Sequence, residues 1–307
     1  MTSSPDTILV VGATGFLGRV LCDVPTRDFR RIPAVRTLRA PFARPPLQQM
    51  DITDSGQVNR VVEQVRPKWV INTAAETGVD ACEAQPERAR RVHVDGVRNL
   101  VRACERTGSG LVTLSTNYVF DGTKGPYGEE DAPNPLNVYG QTKLEGEACT
   151  LEARCPGIVV RTAVLYGYRP GCRPNFVTWA AGALARREEI RVVTDEWANP
   201  TCVDELAVFL LDLCRKDFRG LIHFGGVECL TRYEMVQQIC ACFGLDVHLA
   251  VPVASAELGQ MARRPLRAGL KMDRAWEVFD GRVGSFGENL RRLAASIGDP
   301  AALPSQA

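Results

Sequence analysis

Ile8-Leu-Val-Val-Gly12-Ala-Thr-Gly15-Phe-Leu-Gly18-Arg19 is the stretch that decides the fold. An apolar, largely β-branched run reads as a buried strand, and the three glycines that follow turn it into a helix. Gly12 permits the tight turn, Gly15 lets backbone approach a pyrophosphate, and Gly18 lets the helix pack close to the sheet. The helix N-terminus then presents the amides of Phe16 and Leu17 to the phosphates. The stretch therefore points to a bound dinucleotide.

Outward from this turn, short apolar runs alternate with helical spacing. Strands are expected at Ile32–Val35, Trp69–Asn72, Leu111–Leu114 and Ile158–Arg161, with helices at Val58–Val65, around Val92–Cys104 and around Tyr139. Strict alternation implies an α/β fold, a doubly wound parallel sheet with helices on both faces. After Tyr166-Gly167 the pattern loosens. A helix is expected around Phe176–Arg186 and another at Asp204–Cys214, and Leu221–Phe224 is expected to return to the main sheet. This reading divides the chain into a dinucleotide-binding lobe (1–167 with 197–224), a smaller C-terminal lobe closing over the carboxyl edge of the sheet (168–196 with 225–297) and a tail (298–307).

Composition excludes several classes. The 307 residues are 45% hydrophobic and 24% charged with a net charge of +1, so no global field draws the chain to nucleic acid or an acidic membrane. The N-terminus lacks the basic-then-apolar pattern of a secretory signal, and no apolar run reaches the roughly 20 residues needed to span a bilayer. A cytoplasmic protein is expected. Eleven cysteines are scattered without a Cys-x-x-Cys pair, and only three histidines accompany them, so no metal site or disulfide framework is expected.

The end of the second strand reads Ala34-Val35-Arg36-Thr37, with Arg39 just beyond and no carboxylate to hold ribose hydroxyls. Arg36 suits a 2′-phosphate, so NADPH is expected, with NADH left open. Asp51 and Ile52 are expected to flank the adenine, and the small Ala74 and Ala75 to let the cofactor lie against their backbone. Ser115 and Thr116 end a strand at the carboxyl edge, where such sheets bind ligands. Tyr139 and Lys143 lie one helical turn apart and so share a face. The neighbouring ammonium is expected to lower the Tyr139 pKa and make it a proton donor to a carbonyl. The catalytic set is Thr116, Tyr139 and Lys143, with Lys143 also holding the nicotinamide ribose.

These residues, in this order, resemble the extended short-chain dehydrogenase/reductases, and within them the dTDP-4-dehydrorhamnose reductase family. Further matching words are Arg66-Pro67, Val70-Ile-Asn72-Thr-Ala-Ala75, Ser115-Thr-Asn-Tyr-Val-Phe120-Asp-Gly122, Asn137-Val-Tyr139-Gly-Gln-Thr-Lys143-Leu-Glu-Gly146-Glu147 and Arg263-Arg264-Pro265. The resemblance implies a Rossmann domain with a smaller C-terminal substrate-binding domain, and NAD(P)H-dependent reduction of the C4 keto group of a nucleotide-linked 6-deoxyhexose. It places Ser115, Asn117, Tyr118, Val164, Asn175 and Arg264 on the substrate side. Three positions depart from the family pattern: Asn117 replaces Asp, Val164 replaces an aromatic platform, and His93 replaces Asn. A 4,6-dehydratase would need carboxyl groups after Thr116, where Asn117 and Tyr118 stand. The chain also resembles the regulatory β subunit of methionine adenosyltransferase, through Tyr127-Gly-Glu-Glu-Asp131 and Leu230-Thr-Arg-Tyr-Glu-Met235. That leaves a non-catalytic, NADP-binding role as the alternative. A homodimer is the assembly considered.

Overall fold

The computed structural model describes residues 5–38 and 47–304; Arg39 lies outside them. In chain order the first elements are β1 (Asp6–Val11), α1 (Phe16–Asp23), β2 (Phe29–Val35), β3 (Gln48–Gln49), α2 (Ser55–Val65) and β4 (Trp69–Asn72). Then come α3 (Val79–Ala84), α4 (Pro86–Arg90), a π-helical turn (Arg91–Asp95), α5 (Gly96–Thr107), β5 (Gly110–Thr116), α6 (Val138–Leu151) and β6 (Gly157–Thr162). The later part holds β7 (Leu165–Tyr166), α7 (Phe176–Ala185), β8 (Ile190–Val193), β9 (Trp197–Ala198), β10 (Thr201–Cys202), α8 (Val203–Arg215) and β11 (Gly220–His223). Last are β12 (Leu230–Thr231), α9 (Arg232–Phe243), β13 (Ala250–Val253), α10 (Asp273–Val278) and α11 (Phe286–Ile297).

Seven strands form one parallel sheet in the order β11-β6-β5-β4-β1-β2-β3. The direction of winding reverses beside β1, which sets a crevice above the carboxyl ends of β1 and β4. The pleat of β1 divides the core. Ile8 and Val10 face the cluster shared with α1 and α8, while Leu9 and Val11 face the one shared with α2 and α5. The short strand β3 was invisible in the sequence because two glutamines carry no apolar signal.

A third apolar cluster joins α7, α9, α11, β8 and β13 into a smaller lobe over the crevice. Two segments depart from the expected division. Met272, Ala275 and Phe279 return to the core of the first lobe, where Phe279 meets Phe209 and Phe224 edge-on. Residues 298–304 dock on the second lobe, where Leu303 is buried and its carbonyl accepts from Arg186 at 2.8 Å.

Residues 262–271 run as a strap between the lobes. Arg264 grips Asp80 of α3 with both terminal nitrogens, at 2.7 and 2.9 Å. Asn137 donates to the Arg263 carbonyl at 2.7 Å, Asn117 to the Ala268 carbonyl at 2.9 Å, and the Leu270 amide to Asn199 at 2.7 Å.

Candidate active site

A trough follows the carboxyl edge of the sheet. It comprises a cavity of about 440 Å³ over the glycine turn and one of about 700 Å³ under the second lobe. Both are lined by Thr14, Gly15, Thr73 and Ala75, so they are continuous.

The first cavity is built from backbone. Gly12 has φ +76°, and a Cβ there would sit 2.8 Å from the Ala74 amide nitrogen. A Cβ on Gly18 would sit 2.3 Å from the Gly12 carbonyl oxygen, so Gly18 lies behind the trough and fixes how closely α1 approaches the turn. No side chain caps α1, which leaves its first-turn amides for an anion. Arg36, Asp51, Ile52, Ala74 and Ala75 all line this cavity. Asp51 is committed to a local turn, accepting from the Thr53 amide and hydroxyl at 2.9 and 2.8 Å. The Arg36 guanidinium has no carboxylate partner among the described residues. Side-chain-free glycines, open helix amides and the Arg36 guanidinium suit a phosphorylated dinucleotide. Sequence reasoning missed Arg88 and Arg91, which also line this cavity; Arg88 pairs with Glu76 at 2.9 Å. Arg88 is on α4 and Arg91 opens the π-helical turn, both outside any phosphate motif, and only their three-residue spacing hinted at a shared face.

The second cavity gathers Phe16, Leu17, Ser115, Thr116, Asn117, Tyr118, Tyr139, Lys143, Val164 and Asn175. Asn137 caps α6 by accepting from the Gly140 amide at 2.8 Å, which sets the turn on which Tyr139 and Lys143 project together. A Cβ on Gly140 would lie 2.1 Å from the Tyr118 carbonyl, so α6 runs hard against the end of β5. Thr116 caps the short 3-10 turn after β5, accepting from the Tyr118 amide at 3.1 Å, and still opens onto the cavity.

The electrostatics correct one expectation. The Tyr139 phenol is not acidified by Lys143. Burial pushes it up to about 12, a hydrogen bond with Thr116 pulls down, and Tyr118 and Cys82 push further up. Lys143 instead donates to the Leu114 carbonyl at the end of β5. Its own pKa is pushed down to about 8 by burial, against the pull of Glu147 and Cys82. Four-residue spacing placed both groups on one face, but β5 supplied a nearer acceptor for the ammonium. Tyr139 is therefore a neutral phenol at neutral pH, with its proton in place.

Tyr139 is flanked edge-on by His93 at 5.7 Å and Tyr118 at 5.9 Å between ring centroids. His93 sits in the π-helical turn, a common device at functional sites. Its Nε2 accepts from the Glu76 amide at 3.1 Å and its Nδ1 meets the Thr142 hydroxyl at 2.8 Å, so the ring bridges α6 to the loop after β4. Burial first, then Lys143, pushes its pKa down to about 3, and the imidazole is neutral.

Several substrate-side expectations are met by residues already engaged. Ser115 donates to Glu147, Asn117 holds the strap, and Asn175 caps α7 while donating to the Gly167 carbonyl at 2.7 Å. Val164 lines the cavity with φ +45°, a strained conformation for a β-branched residue. Arg264 lies outside the cavity, spent on Asp80. The arginines that do line the cavity are Arg173 and Arg232, the latter the first residue of α9, with its guanidinium 4.8 Å over the Phe176 ring. The signal for Arg232 in the sequence was its place in Leu230-Thr-Arg-Tyr, just after a helix cap.

A parallel sheet in this order, a glycine turn over β1 and a Tyr–Lys pair at its carboxyl edge define a nucleotide-binding oxidoreductase architecture. The chain matches the RmlD substrate binding domain family over residues 6–298 and belongs to it. It is 35% identical over 273 residues to dTDP-4-keto-6-deoxy-D-glucose reductase of Streptomyces niveus, covering 88% of this chain and 90% of that one. It is also 34% identical over 283 residues to methionine adenosyltransferase 2 subunit beta of Bos taurus, covering 87% and 80%. Among solved structures, dTDP-4-dehydrorhamnose reductase from Bacillus anthracis in complex with NADP superposes with a TM-score of 0.86 at 30% identity, covering 95% and 99%. The Clostridium acetobutylicum dTDP-4-dehydrorhamnose reductase gives 0.84 at 31%, covering 95% and 99%.

Proposed function

We propose that this protein reduces the C4 keto group of a nucleotide-linked 4-keto-6-deoxyhexose, with NADPH as the reductant and NADH as the weaker alternative. The observation that carries it is that Thr116, Tyr139 and Lys143 line one cavity continuous with the glycine-turn trough. NADPH, when bound, supplies the hydride. Gly12, Gly15 and the Phe16 and Leu17 amides hold its phosphates, Arg36 its 2′-phosphate, and Ala74 and Ala75 its flank. Thr116 orients the carbonyl, Tyr139 gives its proton to the oxygen as charge develops there, and Lys143 would hold the nicotinamide ribose hydroxyls. Arg232, on the wall shared with the second lobe, supplies charge for the substrate's diphosphate.

Incubation with NADPH and a panel of nucleotide-linked 4-keto-6-deoxysugars tests the reading. Consumption of NADPH that Tyr139→Phe abolishes is the expected result; silence with every sugar overturns it. Similarity to the bovine subunit at 34% identity supports a second reading, a regulatory subunit of a methionine adenosyltransferase. Silence with the sugars together with saturable binding to such a catalytic subunit would establish that one. A cytoplasmic setting and a homodimer accompany the reductase reading, the latter checked by light scattering.

A further inference from the structure

Behind the cavity floor lies a buried charge cluster that the proposed reaction does not use directly. Glu147 follows Lys143 by one turn of α6 and is 2% exposed. Its Oε1 accepts from the Ser115 hydroxyl and from Arg161 Nε at 2.8 Å, and its Oε2 accepts from Arg161 Nη2 at 2.6 Å. Arg161, on β6, is 3% exposed, and its guanidinium lies 5.1 Å over the Phe120 ring. Glu147 is thus the one anion beside two cations, Arg161 in direct contact and Lys143 one turn earlier on the same helix. A guanidinium does not shed its proton in a protein, so any loss of negative charge falls on the lysine.

We propose that Glu147 is a positioning residue for Lys143. Its carboxylate, fixed by Arg161 and Ser115, keeps that side chain an ammonium beneath the reacting carbonyl. The geometry adds a second effect. The Ser115–Glu147 bond pins the strand end between the Leu114 carbonyl, which takes the ammonium's hydrogen bond, and Thr116, which caps the next turn. The other titratable groups about Lys143 are Tyr139 on α6, Cys82 on α3 and His93 in the π-helical turn. Burial pushes the Cys82 thiol up to about 11 and His93 down to about 3, so both are neutral near pH 7. Glu147 is then the one carboxylate among the groups that set the lysine's charge. The catalytic meaning of this role rests on the reductase reading; the charge itself does not.

The test reads the charge without requiring turnover. Lys143 lines the cavity, so its acylation by acetic anhydride across pH, followed by peptide mass mapping of the full chain, gives the titration midpoint directly. The midpoint is expected near 8 in the unaltered protein and at least one pH unit lower in Glu147→Gln. Ser115→Ala, which keeps every charge, is expected to leave it in place. Should Glu147→Gln fail to fold with Arg161 unpaired, Glu147→Gln/Arg161→Met is read against Arg161→Met alone, and the midpoint is expected lower in the double variant. An unmoved midpoint in the Gln variant overturns the proposal, whatever happens to its melting temperature, as does an equal shift in Ser115→Ala. The basic limb of kcat for sugar reduction should move acidward with the midpoint. If no sugar is reduced but the midpoint moves, the reductase reading falls and the role of Glu147 stands.

Discussion

The two halves of the trough are built by different means. The half over the glycine turn is made of backbone: one contiguous stretch, Ile8–Arg19, supplies the strand, the turn and the open helix end. The half under the second lobe is made of side chains from β5, α6, the loop after β6 and α9, brought together only by the tertiary fold. A backbone site tolerates almost any side chain pointing away from it, but no Cβ pointing in. A side-chain site depends on individual rotamers and charges. The same contrast separates what a sequence can announce from what it conceals.

The largest effect is expected where side-chain chemistry is irreplaceable. Tyr139→Phe removes the transferable proton and should lower kcat by about two to four orders of magnitude with NADPH binding nearly intact, as stopped-flow and fluorescence titration would show. Retained turnover would mean that the side-chain half does not carry the chemistry. Gly12→Val inserts a branched side chain where a Cβ already sits 2.8 Å from the Ala74 nitrogen, in a left-handed conformation that valine resists. It should abolish measurable NADPH binding in a calorimetric titration while the second lobe keeps its fold. Arg36→Ala probes a side chain in the backbone-built half. It should weaken NADPH by roughly 10- to 100-fold, the worth of one charge-assisted contact, and leave NADH within about threefold.

Smaller effects concern stability. His93 and His223 are both buried, and burial first pushes each down to about 3, with the cations Lys143 and Arg161 respectively adding to it. The unfolded chain takes up these protons near pH 6.5, which the folded chain refuses, so their contribution is intact above pH 6.5 and is lost as pH falls toward 3. Urea midpoints measured from pH 8 to pH 4 should fall, and less steeply in His93→Asn. Val164→Gly removes a β-branched residue from positive φ and should change stability by about 1 kcal/mol, with strain relief opposed by lost contacts at the cavity wall.

The sequence announced the backbone half almost completely, because a strand, three glycines and a helix are local in the chain. It also placed Thr116, Tyr139 and Lys143 on one cavity, through the order of strands and a one-turn spacing. It concealed what each polar group does once packed. Lys143 turns to the Leu114 carbonyl, because β5 lies closer than the phenol, and that neighbour is visible only in the sheet register. Ser115 serves Glu147 thirty-two positions later, and Arg264 is drawn to Asp80 across 184 positions while Arg173 and Arg232 line the cavity. Pairings of that separation leave no periodicity to read.

The strap that binds Asp80, Asn117, Asn137 and Asn199 has a practical corollary for anyone dissecting this molecule. A cut between the apparent lobes liberates no self-sufficient fragment. An N-terminal piece ending near Gly167 forfeits its edge strand and the aromatic plug of Phe209, Phe224 and Phe279. The remainder forfeits the anchors that position its crossing loop. Engineering that swaps recognition between relatives would have to exchange several interleaved pieces at once, leaving the stitched residues untouched.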